Sequence, residues 1–202
     1  RGVTKATANV RETIFTAVQG KEFDQKTLDT FLCELDGTPD KSNLGANAIL
    51  GVSIAFARAA AAEAGVALYA YLGSLDGIST FSLPQPLFNV LNGGKHARHG
   101  IDIQECMLAP TQFASIQEKV QAAHASVKIL KEMLIAKGLS VEMGDEGGFA
   151  PSLASNNEAL DLLVETIAKG GYEGRMHIAL DVAASSFFMN GQYTLKAGGE
   201  SQ

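Results

Sequence analysis

The chain has 202 residues, 46% of them hydrophobic and 19% charged, a globular balance rather than a disordered one and enough length to bury a core in one or two domains. Sixteen Lys and Arg against 22 Asp and Glu give a net charge of −6, and no basic run stands out. Nucleic acid and anionic membrane are therefore poor partners, whereas a small anionic substrate is not excluded, because a local site can oppose the global sign.

In chain order, Val10, Ile14 and Val18 recur at helical spacing beside Phe15, and Gly20 stops that segment. Asp24 is the expected N-cap of a second helix carrying Leu28, Phe31, Leu32 and Leu35. Asp36-Gly-Thr-Pro39 breaks the pattern. An Ala-rich helix follows over about residues 45–64, closed by Gly65, then a short helix over 68–72. The pattern changes near Ile78. Phe81-Ser-Leu-Pro-Gln-Pro86 is a Pro-containing link, and it divides the chain into 1–79 and 80–202. Beyond it, apolar runs at 87–91, 101–108 and 176–182 read as buried strands. Between the second and third, two amphipathic helices are expected. One carries Ile116, Val120, Val127, Leu130 and Leu134. The other carries Leu160, Leu163, Val164 and Ile167, capped by Asn156 or Asn157. Strands mixed with helices point to an α/β barrel or a wound sheet, and three strands cannot close a barrel of eight.

The longest apolar region, residues 46–62, is interrupted by Asn47, Ser53 and Arg58 and is not a membrane span. Cys33 and Cys106 fit no metal or redox spacing; two reduced, mostly buried thiols are expected, in a reducing, cytoplasmic compartment. The start shows no signal-peptide pattern. It also lacks an initiator Met, and the end is a polar stretch containing Gly198 and Gly199, so neither reads as the terminus of a finished domain.

Acidic residues sit where chemistry gathers. Gln104-Glu105 lies in the second predicted strand, Asp145 and Glu146 lie in Gly144-Asp-Glu-Gly-Gly148, and Asp181 ends the run Ile178-Ala-Leu-Asp181. A charge finishing a buried strand is costly unless paired or metal-bound, and oxygen ligands of this kind suit a hard cation such as Mg²⁺. Taken singly, each has an ordinary alternative: a rim charge or ion pair for Glu105, a surface turn for Gly144-Asp-Glu-Gly-Gly148, a helix cap for Asp181, and a loop histidine for His96. His99, His124 and His177 have no metal spacing and read as surface or structural.

Several long motifs alter those odds. Lys41-Ser-Asn-Leu-Gly-Ala-Asn-Ala-Ile-Leu-Gly-Val-Ser53 resembles the helix signature of the enolase N-terminal domain. Phe88-Asn-Val-Leu-Asn-Gly-Gly-Lys-His96, Ile103-Gln-Glu-Cys-Met-Leu-Ala-Pro110, Gly144-Asp-Glu-Gly-Gly148 and Ala179-Leu-Asp181 follow in enolase order at close to enolase spacing. The resemblance covers essentially the whole chain. It implies an α/β fold with an α+β N-terminal domain. Residues 1–79 would be the helical part of that domain, without its strands, and 80–202 the first part of a TIM-like ββαα(βα)₆ barrel.

The activity so implied is Mg²⁺-dependent dehydration of 2-phosphoglycerate to phosphoenolpyruvate in glycolysis, by a cytoplasmic homodimer; surface display is compatible with the family but not readable here. Residue by residue, Glu146 matches the acid that helps the C3 hydroxyl leave and Glu105 its neighbouring carboxylate. Gln104 and His96 match pocket residues, with Glu105 beside them, and Asp181 matches the first of three Mg²⁺ carboxylates. Removing a proton beside a carboxylate creates a doubly charged enediolate, for which enolase-type sites use a Lys or His base with Mg²⁺. Expelling hydroxide then needs an acid. In the family pattern the Lys base, a second Lys, a phosphate-binding Arg and two metal carboxylates lie downstream, and a mobile Ser-containing loop lies upstream. These 202 residues alone are therefore expected to be inactive. Arg98-His99, Cys106 and Ser186 depart from the family pattern, Cys106 standing for a usual Phe and Ser186 for a usual Glu. Two rival readings are a binding or structural role for a partial enolase and another enolase-superfamily reaction on a carboxylate substrate. The acidic motifs oppose the second.

Overall fold

Two units, Arg1–Ser82 and Leu83–Gln202, make up the chain; the computed structural model describes residues 2–94, 100–144 and 146–197. The described part of the first unit is helical. α1 (Thr4–Ala8), a π-helical stretch (Asn9–Ile14) and α2 (Phe15–Val18) follow without a break, where hydrophobic spacing alone predicts one regular helix. Asn9 at the head of the widened stretch donates from Nδ2 to the Leu44 carbonyl at 2.7 Å. α3 (Gln25–Asp36) starts as expected. The Asp24 carboxylate accepts from Thr27 N at 2.7 Å, and the Thr27 hydroxyl accepts from Asp24 N at 3.0 Å, so two orphan donors are satisfied reciprocally. α4 (Ala46–Glu63) and α5 (Leu68–Leu75) complete the unit, α5 running three residues past its predicted end.

Ile14, Leu28, Leu32, Leu44 and Ala48 form the core of this unit. Asp36 is buried among them. Its carboxylate accepts from Leu44 N at 2.8 Å, Thr38 N at 3.1 Å and the Thr38 hydroxyl, which ties the loop after α3 to the start of α4. Burial opposes ionisation of Asp36, but these donors outweigh it and hold the carboxyl below its ordinary value. Cys33 is exposed, contrary to expectation: α3 buries Leu28, Leu32 and Asp36, and Cys33 follows Leu32 by 100° around the helix.

In the second unit β1 (Phe88–Asn92), β2 (Glu105–Pro110) and β3 (Met176–Asp181) form one sheet in the order β1-β2-β3. Both pairings are antiparallel, so β1 and β3 run in the same direction and β2 against them. β2 starts four residues later than its apolar run suggests. Residues 101–104 are drawn out of the ladder: Gly93 N donates to the Gln104 carbonyl at 3.0 Å and Gly94 N to that of Ile101 at 2.8 Å. A Cβ on Gly93 would lie 2.4 Å from the Ile103 carbonyl oxygen, so only glycine lets this crossing close.

Two helices pack on the sheet, α6 (Ile116–Ala136) and α7 (Asn156–Lys169). Each opens on Ser-x-x-Glu. Ser115 and Ser155 accept from Glu118 N and Glu158 N, both at 3.2 Å, and those glutamates reach back to Ala114 N at 2.9 Å and Ala154 N at 2.8 Å. Ser155, not Asn156 or Asn157, is thus the cap of α7. Leu91, Leu108, Leu130, Leu134 and Leu163 are fully buried in the core between helices and sheet, each contributing about 1.5–3 kcal/mol through burial. Val120 and Val164, predicted on the apolar faces, are exposed. Val164 lies one position beyond the buried Leu162–Leu163 pair, and Val120 lines an open groove beside β1. β3 also departs from its reading as a buried strand. Only Met176 is buried and Asp181 is exposed; β3 is an edge strand, as is β1, but the edge of β1 is covered by the chain at Phe149. A short hairpin, β4 (Phe188–Met189) with β5 (Gln192–Tyr193), turns at Asn190-Gly191, both at positive φ.

Candidate functional site

Sheet register assembles the acidic positions. Asn92 at the end of β1 is opposite Glu105 at the start of β2, and Glu105 is opposite Asp181 at the end of β3. Because β2 runs against its neighbours, its first residue shares an edge with their last residues. That edge is the carboxyl end of β1 and β3, where barrels carry their chemistry. Gln104, immediately before β2, donates from Nε2 to Asp181 Oδ2 at 3.4 Å. The other oxygen, Asp181 Oδ1, accepts from Ala183 N at 2.9 Å in an Asx-type turn, and Ala183 sits in the left-handed region at φ 46°. Asp181 therefore shapes the backbone after β3 instead of capping a helix, while Gln104 fixes its outer oxygen.

Glu146 lies on the turn after α6. Gly144 N donates to the Gly148 carbonyl at 2.8 Å and Gly147 N to that of Gly144 at 3.3 Å. The turn is clasped to β1: Phe149 N donates to the Val90 carbonyl at 2.9 Å, Asn92 N to that of Phe149 at 2.8 Å, and Asn92 Nδ2 to that of Gly148 at 2.6 Å. A Cβ on Gly148 would lie 2.8 Å from the Val90 carbonyl carbon, so the close approach of turn and strand requires glycine there. Glu146 is exposed, whereas Gln104 and Glu105 are half-buried.

Gln104, Glu105 and Asp181 are thus brought together on one strand edge, and Glu146 is carried on a turn fixed to the adjoining strand end. His96, Asp145, Arg98 and His99 lie outside the described residues. Cys106 is buried in β2, and burial pushes its thiol up to about 11, so the residue packs and does not react. Ser186 falls in a 3₁₀ turn (Ala184–Ser186). His124 and His177 are exposed, in line with a surface role. Among the described residues no group of three or more His, Cys, Asp or Glu is arranged to hold a metal, and no single helix is long and apolar enough to cross a membrane.

Two further residues hold the segment before Gln104: Asp102, which no motif singles out, and Asn156, which the sequence offers only as a helix cap. The Asp102 carboxylate accepts from Lys196 N at 3.0 Å, Ala197 N at 2.8 Å and Asn156 Nδ2 at 3.2 Å. Asn156 Oδ1 in turn accepts from Asp102 N at 2.9 Å and Ile103 N at 3.4 Å. Together they pin the segment leading into Gln104 and Glu105 to the head of α7 and to the chain after β5.

A helical unit followed by two antiparallel strands, two helices and a strand parallel to the first is the opening of a ββαα barrel whose carboxylates gather at one rim. The chain belongs to the enolase family. Residues 1–72 match the family model described as "Enolase, N-terminal domain", and residues 80–202 match "Enolase, C-terminal TIM barrel domain". Among curated relatives, "Enolase" of Campylobacter jejuni is 51% identical over 197 residues, covering 97% of this chain and 47% of the relative. "Enolase 1" of Methylococcus capsulatus is 51% identical over 203 residues, covering 99% and 48%. "Enolase" of Bdellovibrio bacteriovorus is 49% identical over 201 residues, covering 98% and 47%. The chain spans about half the length of the curated relatives it matches, and is a partial enolase.

Proposed function

We propose that this chain supplies the acid side of a Mg²⁺-dependent enolase site, which in the complete protein dehydrates 2-phosphoglycerate to phosphoenolpyruvate. The observation that carries the reading is the register Asn92–Glu105–Asp181, with the Glu146 turn clasped to the first of them. It brings Gln104, Glu105 and Asp181 to one edge, which supports the reading.

In this reading Glu146 delivers a proton to the departing C3 hydroxyl. Glu105 matches the carboxylate that neighbours this acid in the family pattern, and expelling hydroxide needs such a donor. Gln104 presents an amide to the substrate side of the edge and steadies Asp181. His96 completes the pocket by resemblance. The donor set fits Mg²⁺: the carboxylates at this edge offer oxygens, with no thiolate, and Asp181 is exposed, each of its oxygens accepting one hydrogen bond and keeping a further lone pair. Asp181 would provide one ligand, the others coming from chain beyond these residues. What bound Mg²⁺ supplies is charge neutralisation beside the substrate carboxylate. The base, the phosphate clamp, the homodimer and a cytoplasmic location come with the family resemblance.

The test is phosphoenolpyruvate formation, followed by ultraviolet absorbance, with purified full-length protein and 2-phosphoglycerate. Turnover with Mg²⁺ that stops on chelation is expected. Folded, Mg²⁺-loaded full-length protein that forms no phosphoenolpyruvate would sink the proposal in favour of a non-catalytic role.

A further inference from the structure

Asn92 sits where the placements of the two carboxylates meet. Its backbone is opposite Glu105 in the β1–β2 ladder, and its side chain holds the turn that bears Glu146. The residue is 1% exposed, so its carboxamide is shielded from competing water. Nδ2 donates to the Gly148 carbonyl at 2.6 Å, and Oδ1 accepts from Asn89 Nδ2 at 2.6 Å. Both ends of the amide are engaged, which fixes its orientation. The Gly148 carbonyl is also the acceptor that closes the Glu146 turn, through Gly144 N at 2.8 Å. The backbone bonds between Phe149 and β1 secure the chain after the turn; the Asn92 amide reaches the closing carbonyl itself.

We infer that Asn92 is a positioning residue for the acid step. Its carboxamide sets where the Glu146 turn stands relative to Glu105, with Asn89 holding the amide in the donating orientation. The inference rests on the reading of Glu146 as the acid. Asn92→Asp keeps the shape and the acceptor for Asn89 but cannot donate to Gly148 when ionised. A displacement of about 1 Å at a reacting group can cost about 10² in rate, and here it falls on hydroxide departure, not on proton removal by a base elsewhere.

The experiment uses full-length protein with Mg²⁺ and 2-phosphoglycerate in deuterated water, comparing deuterium uptake at C2 with phosphoenolpyruvate formation. Asn92→Asp should lose about 10²-fold in dehydration while C2 exchange is retained. A merely structural role would lower both alike. Asn89→Ala, at a half-buried position, releases the Asn92 amide more gently and should show the same split to a smaller degree; it decides the matter if Asn92→Asp does not fold. Glu146→Gln is the reference. If it shows the split and the folded asparagine variants lose both activities equally or neither, the Asn92 assignment is overturned alone. If Glu146→Gln itself loses both together, the acid reading falls and the inference with it.

Discussion

Replacing Glu146 by Gln in the complete protein separates the acid from the scaffold that carries it. The turn is held by Gly144 N to the Gly148 carbonyl at 2.8 Å, Phe149 N to the Val90 carbonyl at 2.9 Å and Asn92 Nδ2 to the Gly148 carbonyl at 2.6 Å. None of these bonds uses the Glu146 side chain. Gln keeps the length and shape of the side chain, so the variant should fold, which a melting curve checks. The loss is chemical. A positioned proton donor is typically worth about 10²–10⁴ in rate, or about 2.7–5.4 kcal/mol of barrier at 1.36 kcal/mol per tenfold. Gln keeps the shape and cannot give the proton, so the enediolate should return to substrate rather than lose hydroxide. Incubation with 2-phosphoglycerate in deuterated water should then place deuterium at C2 with little phosphoenolpyruvate. Loss of exchange and dehydration together, in folded protein that still binds substrate and Mg²⁺, would show that Glu146 serves the first step. Near-normal turnover would hand the role to Glu105 or to a water held by the pair.

Four further outcomes are expected. The 202-residue chain alone should not dehydrate 2-phosphoglycerate, since a missing general base typically costs about 10²–10⁴; phosphoenolpyruvate produced by it at an enzyme-like rate would refute this. Asp181→Ala in the full protein should weaken Mg²⁺ binding and activity, with partial rescue at high Mg²⁺, and an unchanged Mg²⁺ titration would make Asp181 purely structural. Because Asp36 is held below its ordinary pKa in the folded chain, it favours folding above the unfolded value of about 3.9 and this contribution fades as pH falls through the lower folded value. Asn at that position should flatten the acid limb of stability, and parallel urea-midpoint curves for parent and variant would count against the Asp36 network. Cys33 is exposed, while the Cys106 thiol is buried and pushed up to about 11. Alkylation of the native chain near neutral pH should therefore label Cys33 alone, and rapid labelling of Cys106 would contradict its burial.

Helices were the most legible part of this fold because their signals are local. Asp24, Gly37 and the spacing of Leu28 and Leu32 define α3 within a dozen residues, and the structure bounds it where they do. Ser155-Asn-Asn-Glu158 was equally readable as a cap, but the asparagines beside it compete as candidates, and only the structure shows Asn156 engaged with residues 102 and 103. Asn190-Gly191 carries a hairpin signal of the same local kind. Strand limits were less legible. The apolar run 101–108 gives no sign that Gly93 and Gly94 will draw its first four residues out of the ladder, since that depends on a chain crossing. Burial of β3 is illegible for a related reason: an apolar run states what a strand can bury, and what covers it is decided elsewhere.

The site depends on strand direction, which no periodicity records. A run of alternating or apolar residues reads the same whichever way the strand is laid in the sheet. β2 spans six residues from Glu105 to Pro110, and at about 3.4 Å per residue its ends are about 17 Å apart. Laid parallel to β1 and β3, it would put Glu105 at the opposite rim from Asp181 and from the turn bearing Glu146. Laid antiparallel, as here, it puts Glu105 opposite both Asn92 and Asp181. Gly93, Gly94 and the Asp102–Asn156 pair hold residues 101–104 where Gln104 can reach Asp181 at 3.4 Å. Glu105 therefore lies at the carboxyl end of β1 and β3 although it begins its own strand, and Gln104 stands just before it.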